Sequence, residues 1–319
     1  MPSELPIAVV VHATGTQGLS ATRALSHASY HVRALTLHPE QAESKFKTLQ
    51  NVEVIPYDWS RKSLEQAFEG GEPAKLVFAL ALSDDKAMMG QGESEGWPSE
   101  YYQGELLARV AKEKGVKVFI WSSSPPSPSK YSPISAFDDK AEVEKYLQST
   151  GQPFVALHLG TFLDYFVGRN AITYEGANLV LTFPRGNRTE AVYPFISVEH
   201  DLGAIILLIA EKFESAQLSG RRLVCCDKFY SLDDLTEIIE KIAARKVILR
   251  TKLPCGKENS PGDKLFQCLG DSATPLKGSA TSAAPFTLSD LGCKLQPVEG
   301  FVKERLLPFL GLKRSEAAE

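Results

Sequence analysis

An apolar run, Ile7-Ala8-Val9-Val10-Val11, ends in His12-Ala13-Thr14-Gly15-Thr16-Gln17-Gly18, and a helix-periodic segment follows at once. A strand that breaks into glycines and opens a helix brings backbone N–H groups close to whatever lies at the helix start, and the helix adds its positive N-terminal end. That combination suits a pyrophosphate, with Thr14, Gly15, Thr16, Gln17 and Gly18 as the residues around it. The usual glycine triplet is incomplete, because His12 stands at its first position. Alone, then, the motif does not separate a phosphate site from an ordinary strand-to-helix turn.

The surrounding pattern decides more. Apolar strands are expected at 31–36, 52–57, 75–80, 117–121 and 154–159, each separated from the last by helical or charged segments, which makes six βα alternations with the first strand. Alternation at this spacing implies parallel pairing through right-handed crossovers, hence an α/β fold, a doubly wound parallel sheet of the Rossmann kind. Beyond Gly160 the alternation breaks down, so residues 1–159 are expected to form a dinucleotide-binding domain and 160–319 a smaller α+β region that partly returns to it. Ligands of such sheets sit at the carboxyl ends of strands. That rule selects His12 to Gly18, Thr36 to His38, Asp58, Leu80 to Ser83, Ser122 to Ser124 and Leu159 to Phe162, with Leu80, Ala81, Gly160 and Phe162 among the expected cofactor contacts. The stretch 83–99 is long for a loop and is expected to be mobile or a substrate lid, and 254–285 is expected to be irregular.

Composition narrows the function classes. With 319 residues, 43% hydrophobic, 23% charged and a net charge of -4, the chain can bury a large core and offers no basic stripe for nucleic acid. Five cysteines, Cys225, Cys226, Cys255, Cys268 and Cys293, are odd in number and lack a CxxC pair with histidine ligands, so free thiols in a reducing compartment and no metal site are expected. No basic leader opens the sequence, and its longest later apolar run, 204–210, is too short to span a membrane, so a cytoplasmic protein is expected.

Several segments together resemble the NmrA-like branch of the atypical short-chain dehydrogenases/reductases, with isoflavone-reductase-like relatives. They are Ala13-Thr14-Gly15-Thr16-Gln17-Gly18, Gln103-Gly104, Phe119-Ile120-Trp121-Ser122-Ser123, the stretch from Phe137-Asp138-Asp139-Lys140 to Tyr146, Leu159-Gly160-Thr161-Phe162, and Phe195-Ile196-Ser197-Val198-Glu199-His200-Asp201-Leu202-Gly203. The resemblance implies a dinucleotide-binding fold with a smaller C-terminal substrate region, here 160–319, and members that are NAD(P)H-dependent reductases or non-catalytic cofactor sensors. It further implies that Lys140 holds the nicotinamide ribose and assists proton delivery, and that Asp58 stands where the family hydrogen-bonds the adenine amine. Three positions depart from the pattern: His12 for glycine, Leu37 for an arginine that meets the ribose 2′-phosphate, and Ala136 for the tyrosine of ordinary short-chain dehydrogenases.

Each candidate has a plainer reading beside it. Thr36, Leu37 and His38 provide no acid to repel a 2′-phosphate, which favours NADP(H) over NAD(H), with Lys45 and Lys47 set further off. His38 reads more readily as a solvated turn residue before Pro39 than as a phosphate ligand, and Asp58 equally as a helix-start charge near Arg61. Hydride delivery leaves negative charge on a substrate oxygen. Lys140 is the expected donor unless it merely pairs with Glu144 at i,i+4. Ser123 could bond a substrate oxygen or only shape a turn, and Tyr131 could replace the missing phenol or pack under its loop. His158 reads as a core histidine, while Phe162, Tyr165, Phe166, Tyr193 and Phe195 wall a pocket or fill the core. The expected function is NAD(P)H-dependent reduction of a small, largely apolar carbonyl or conjugated metabolite. The alternatives are a dinucleotide-sensing regulator that docks on a protein partner, and a redox-neutral cyclase or isomerase.

Overall fold

The computed structural model describes residues 5–89, 91, 93–128, 133–184, 192–226, 228–252, 258, 260–271 and 286–312. Its strands are β1 (Ile7–Val10), β2 (His31–Thr36), β3 (Val52–Pro56), β4 (Leu76–Ala79), β5 (Val118–Ser123), β6 (Phe154–Leu159), β7 (Thr161–Phe162), β8 (Ile172–Glu175), β9 (Asn178–Pro184), β10 (Val192–Ile196), β11 (Arg221–Cys225), β12 (Phe229–Ser231), β13 (Val247–Lys252) and β14 (Phe286–Thr287). Eight of them form one parallel sheet in the order β14-β11-β6-β5-β4-β1-β2-β3. The run 3-2-1-4-5-6 within it is the order of doubly wound dinucleotide folds, and its switch point lies between β1 and β4.

The central strands are buried on both faces, so they read as continuous apolar runs and not as alternating ones. Alternate residues nevertheless serve different layers. Ala8, Val10, Phe78 and Ile120 face helices Thr16–His27 and Val198–Lys212, while Val9, Val77, Phe119 and Trp121 face helices Glu100–Glu113 and Ser135–Thr150. A third apolar cluster, with Phe166, Leu181, Phe195, Ile239 and Phe301, belongs to the later part of the chain. It holds two three-stranded sheets, β12-β10-β7 and β13-β9-β8. Asp164 ties this part to the first, its carboxylate accepting from the Val198 and Glu199 N–H groups at 2.7 and 3.3 Å and so capping helix Val198–Lys212.

One expectation needs correction. The stretch read as irregular contains helix Pro261–Asp271, where the Ser260 hydroxyl accepts from Asp263 N–H at 3.1 Å and Pro261 takes the first helical position. Of the stretch 83–99, expected to be mobile or a lid, none of the described residues lines the cavity described below. Asp84 cross-links it by accepting from Ser94 N–H and Oγ at 2.5 and 2.8 Å, and Trp97 Nε1 donates to the Leu82 carbonyl at 3.3 Å. Among the described residues, no helix is long and apolar enough to cross a membrane, and no cluster of three or more His, Cys, Asp or Glu could hold a metal ion.

Candidate functional site

At the end of β1 the chain turns at His12, whose φ of 51° lies in the left-handed region that favours glycine. The turn closes with Gly15 N–H on the His12 carbonyl at 2.9 Å, and helix Thr16–His27 then starts with no side chain capping it. A Cβ on Gly18 would stand 2.1 Å from the His12 carbonyl oxygen, so the close approach of helix to strand requires glycine there. The bare helix start, with glycine at its N-cap and at position 18, fits a pyrophosphate: the first N–H groups of a helix have no partner within it and favour an anion. The imidazole does not close this cradle. It is buried against Tyr57, whose hydroxyl lies 2.8 Å from Nδ1, and edge-on to Trp59 at 5.2 Å. Burial, with a smaller push from His38, drives its pKa down to about 3, so the ring is neutral.

The end of β2 lies beside the turn. The Thr14 and Thr36 hydroxyls hydrogen-bond at 2.8 Å, both buried. Leu37 packs into the apolar layer, and the His38 ring is exposed with Nδ1 3.3 Å from Glu40. Lys45, set aside as distant on sequence, reaches back to donate to the Thr14 carbonyl at 2.6 Å and to Gln41 Oε1 at 2.9 Å. Asp58 is exposed, and hydrogen bonds from Ser60 and Ser63 hold its carboxyl down at about 2. It shapes the start of helix Arg61–Gln66, and Arg61 pairs with Glu65 and Glu113, not with Asp58. Leu80 and Ala81 are buried just beyond β4, where Gln103 grips Leu82 N–H and carbonyl at 2.8 and 2.9 Å.

A cavity of about 700 Å³ opens from the helix start toward the later part of the chain, lined by Gln17, Ser123, Lys140, Gly160, Phe162 and Tyr165 among others. Gln17 is fixed by the Ser122 hydroxyl at 2.8 Å. The Lys140 ammonium pairs with the buried Glu100 carboxylate and donates to the Ala136 carbonyl at 3.3 Å, and Glu100 also accepts from Ser83 Oγ. The i,i+4 pair of Lys140 with Glu144 does not form. Glu144 instead accepts from Ser123 Oγ at 2.5 Å, His158 Nε2 at 2.7 Å and Arg222 Nε at 2.5 Å. Burial raises the Glu144 pKa, but these donors outweigh it and hold the carboxyl below its ordinary value. Ser123 therefore lines the cavity with its hydroxyl hydrogen already committed, and His158 is a core partner of Glu144. A Cβ on Gly160 would lie 2.0 Å from the Pro194 carbonyl oxygen, so glycine lets β7 and β10 close the cavity floor. Phe162, Tyr165, Phe166 and Tyr193 line the cavity, whereas Phe195 sits behind it between Phe166 and Tyr230. Tyr131 lies outside the described residues. Glu100 was not found on sequence, because an acid one residue into a helix reads as ordinary dipole compensation.

Strand order, glycine turn and cavity define a doubly wound protein of the Rossmann type. The chain belongs to the NmrA-like family, whose sequence profile matches residues 6–257. It is 28% identical over 262 residues, 77% of this chain and 75% of the other, to the NmrA-like family domain-containing oxidoreductase hkm9 of Aspergillus hancockii. Among solved structures it resembles the negative transcriptional regulator NmrA in its complexes with NADP and with NAD, at a TM-score of 0.74 and 19% identity, covering 97% of this chain and 98% of that one. It also resembles the Citrobacter sp. triphenylmethane reductase complexed with NADP(H), at a TM-score of 0.65 and 17% identity over 94% and 99% of the chains.

Proposed function

We propose that this chain is an NAD(P)H-dependent reductase of a small, largely apolar metabolite bearing a carbonyl or a conjugated double bond. The observation that carries the reading is the junction at Gln17. This second residue of the uncapped helix is also a wall of the aromatic cavity, so a diphosphate on the helix start and an apolar molecule in the cavity would meet beside Lys140. The N–H groups of residues 16–18 and the Thr14–Thr36 hydroxyl pair are suited to hold the diphosphate and adenosine ribose, and Lys140 the nicotinamide ribose. Relatives named as oxidoreductases, and neighbours solved with NADP, NAD or NADP(H), support a nicotinamide dinucleotide. The reading favours NADP(H): no acid occupies 36–38, and Lys45 brings a cation to the Thr14 carbonyl.

When bound, a reduced nicotinamide supplies hydride. The protein must then meet the charge left on substrate oxygen with a placed donor. Two of the three Lys140 N–H donors are spent on Glu100 and Ala136, which leaves one. Because Glu100 neutralises the ammonium, Lys140 acts as a positioned hydrogen-bond donor more than as a bare charge. Ser123, whose proton goes to Glu144, can only accept from the cavity side and so orients a donor group of the ligand.

Calorimetric titration with NADPH and NADH, then the absorbance of the bound reduced cofactor across a panel of aromatic aldehydes and enones, tests the reading. Stoichiometric binding, tighter for NADPH, and loss of absorbance with some panel members are expected. Absence of heat with both nucleotides overturns it. Tight binding with constant absorbance across the panel favours the sensor that docks on a protein partner.

A further inference from the structure

We infer that the ligand of the large cavity carries a carboxylate, gripped by the Arg169 guanidinium and supported by Lys252. This deepens the reductase reading by naming the substrate class, an aromatic or similarly apolar acid. The charge census of the cavity wall is one-sided. Among its described lining residues are Lys140, Arg169 and Lys252, and no aspartate or glutamate. Glu100 neutralises Lys140. Arg169 and Lys252 have no carboxylate partner among the described residues, whereas Arg250 pairs with Glu175 at 2.5 Å, and Arg305 with Glu199. Two cations with no carboxylate partner among the described residues thus stand exposed at the wall of an aromatic cavity, open to an anion.

The geometry at Arg169 selects a planar anion. Its guanidinium stacks over the Tyr165 ring at 4.6 Å, and Tyr165 in turn stacks on Phe162 at 5.2 Å. Arg169 N–H on the Tyr165 carbonyl at 3.0 Å holds the backbone of this corner in place. Stacking occupies one face of the guanidinium and leaves its in-plane donors free, the fork that matches a carboxylate with two parallel hydrogen bonds. Lys252 ends β13 opposite Pro184 of β9, so its charge stands at a second wall of the same cavity. A ligand with an apolar body against the rings and a carboxylate at this corner neutralises the charges that a neutral molecule leaves unpaired.

The matched pair 2-naphthoate and 2-naphthamide, equal in shape and different in charge, tests this by calorimetry on the full chain with and without NADPH. Naphthoate is expected to bind about tenfold or more tightly than the amide, and more weakly as salt rises. Arg169→Ala should erase that preference, Arg169→Lys should keep part of it, and Lys252→Ala should reduce it. Arg169 is exposed, and thermal unfolding of each variant verifies the fold. Equal affinity for acid and amide, binding of neither, or an unchanged preference in Arg169→Ala overturns the inference. The parallel NADPH titration keeps the two ideas apart: naphthoate selectivity without nucleotide binding sinks the reductase reading and leaves the carboxylate site standing.

Discussion

Acid should weaken this protein through His12. The ring is 6% exposed and desolvated between Tyr57 and Trp59, with repulsion from His38 a lesser cause, and its pKa falls from 6.5 to about 3. Below about pH 6.5 the unfolded chain takes up a proton at His12 that the native chain refuses, so stability present above that pH is lost as pH falls toward about 3. From about pH 7.5 to about pH 5.5 the unfolded imidazole passes from about one-tenth to about nine-tenths protonated while the native ring stays neutral, a loss of about 1.4 kcal/mol. Urea unfolding of wild type and His12→Asn at both pH values measures it. Asparagine tolerates the left-handed backbone and still offers the Tyr57 hydroxyl an acceptor. Wild type should lose about 1.4 kcal/mol more than the variant over that interval. The double difference removes Asp164 and Asp201, whose pKa values burial raises and which therefore act in the opposite sense. Parallel pH dependences would refute the reasoning, since they would require a native imidazole that is solvated or charged.

Gly18→Ala puts a Cβ 2.1 Å from a backbone oxygen that cannot retreat without moving the end of β1. It should cost about 2–3 kcal/mol in urea unfolding and abolish NADPH binding by calorimetry. Lys140→Met strands the buried Glu100 charge and should cost about 3–5 kcal/mol, most of it restored by adding Glu100→Gln. Both variants should lose turnover and keep nucleotide binding, and unchanged turnover would remove Lys140 from the mechanism. Lys45→Ala should weaken NADPH about tenfold or more and leave NADH unchanged, as read by paired titrations; equal losses would mean that Lys45 supports the loop and not a 2′-phosphate.

What could be read in advance divides by the range of the interaction. The doubly wound parallel sheet was legible because apolar runs separated by helical segments admit few topologies, and the helix at Pro261–Asp271 was announced by Ser260-Pro261 but hidden in Gly-, Ser- and Lys-rich sequence. Partners across the fold were not legible. Lys140 has an acid four residues on, and sequence spacing alone makes Glu144 its natural mate. The fold instead points Glu144 at β6 and β11, where His158 and Arg222 wait, and brings Glu100 to Lys140 from the start of another helix. Lys45 was set aside as distant from the end of β2, yet parallel pairing of β1 with β2 sets Thr14 beside Thr36 and the next helix folds back over both.

The missing glycine at position 12 shows which glycines of the turn carry the cradle. In the left-handed region a histidine costs about 1 kcal/mol or more relative to glycine, and burial of its ring against Tyr57 and Trp59 offsets this. Nothing in that exchange alters the distance from the helix start to the strand end. Gly18 sets that distance, because a Cβ there would stand 2.1 Å from the His12 carbonyl oxygen, against an ordinary contact of 3.4 Å at Gly15. The first position of the motif therefore requires a backbone angle, which a well-packed histidine can adopt, while the last requires an absence of atoms, which no other residue can supply.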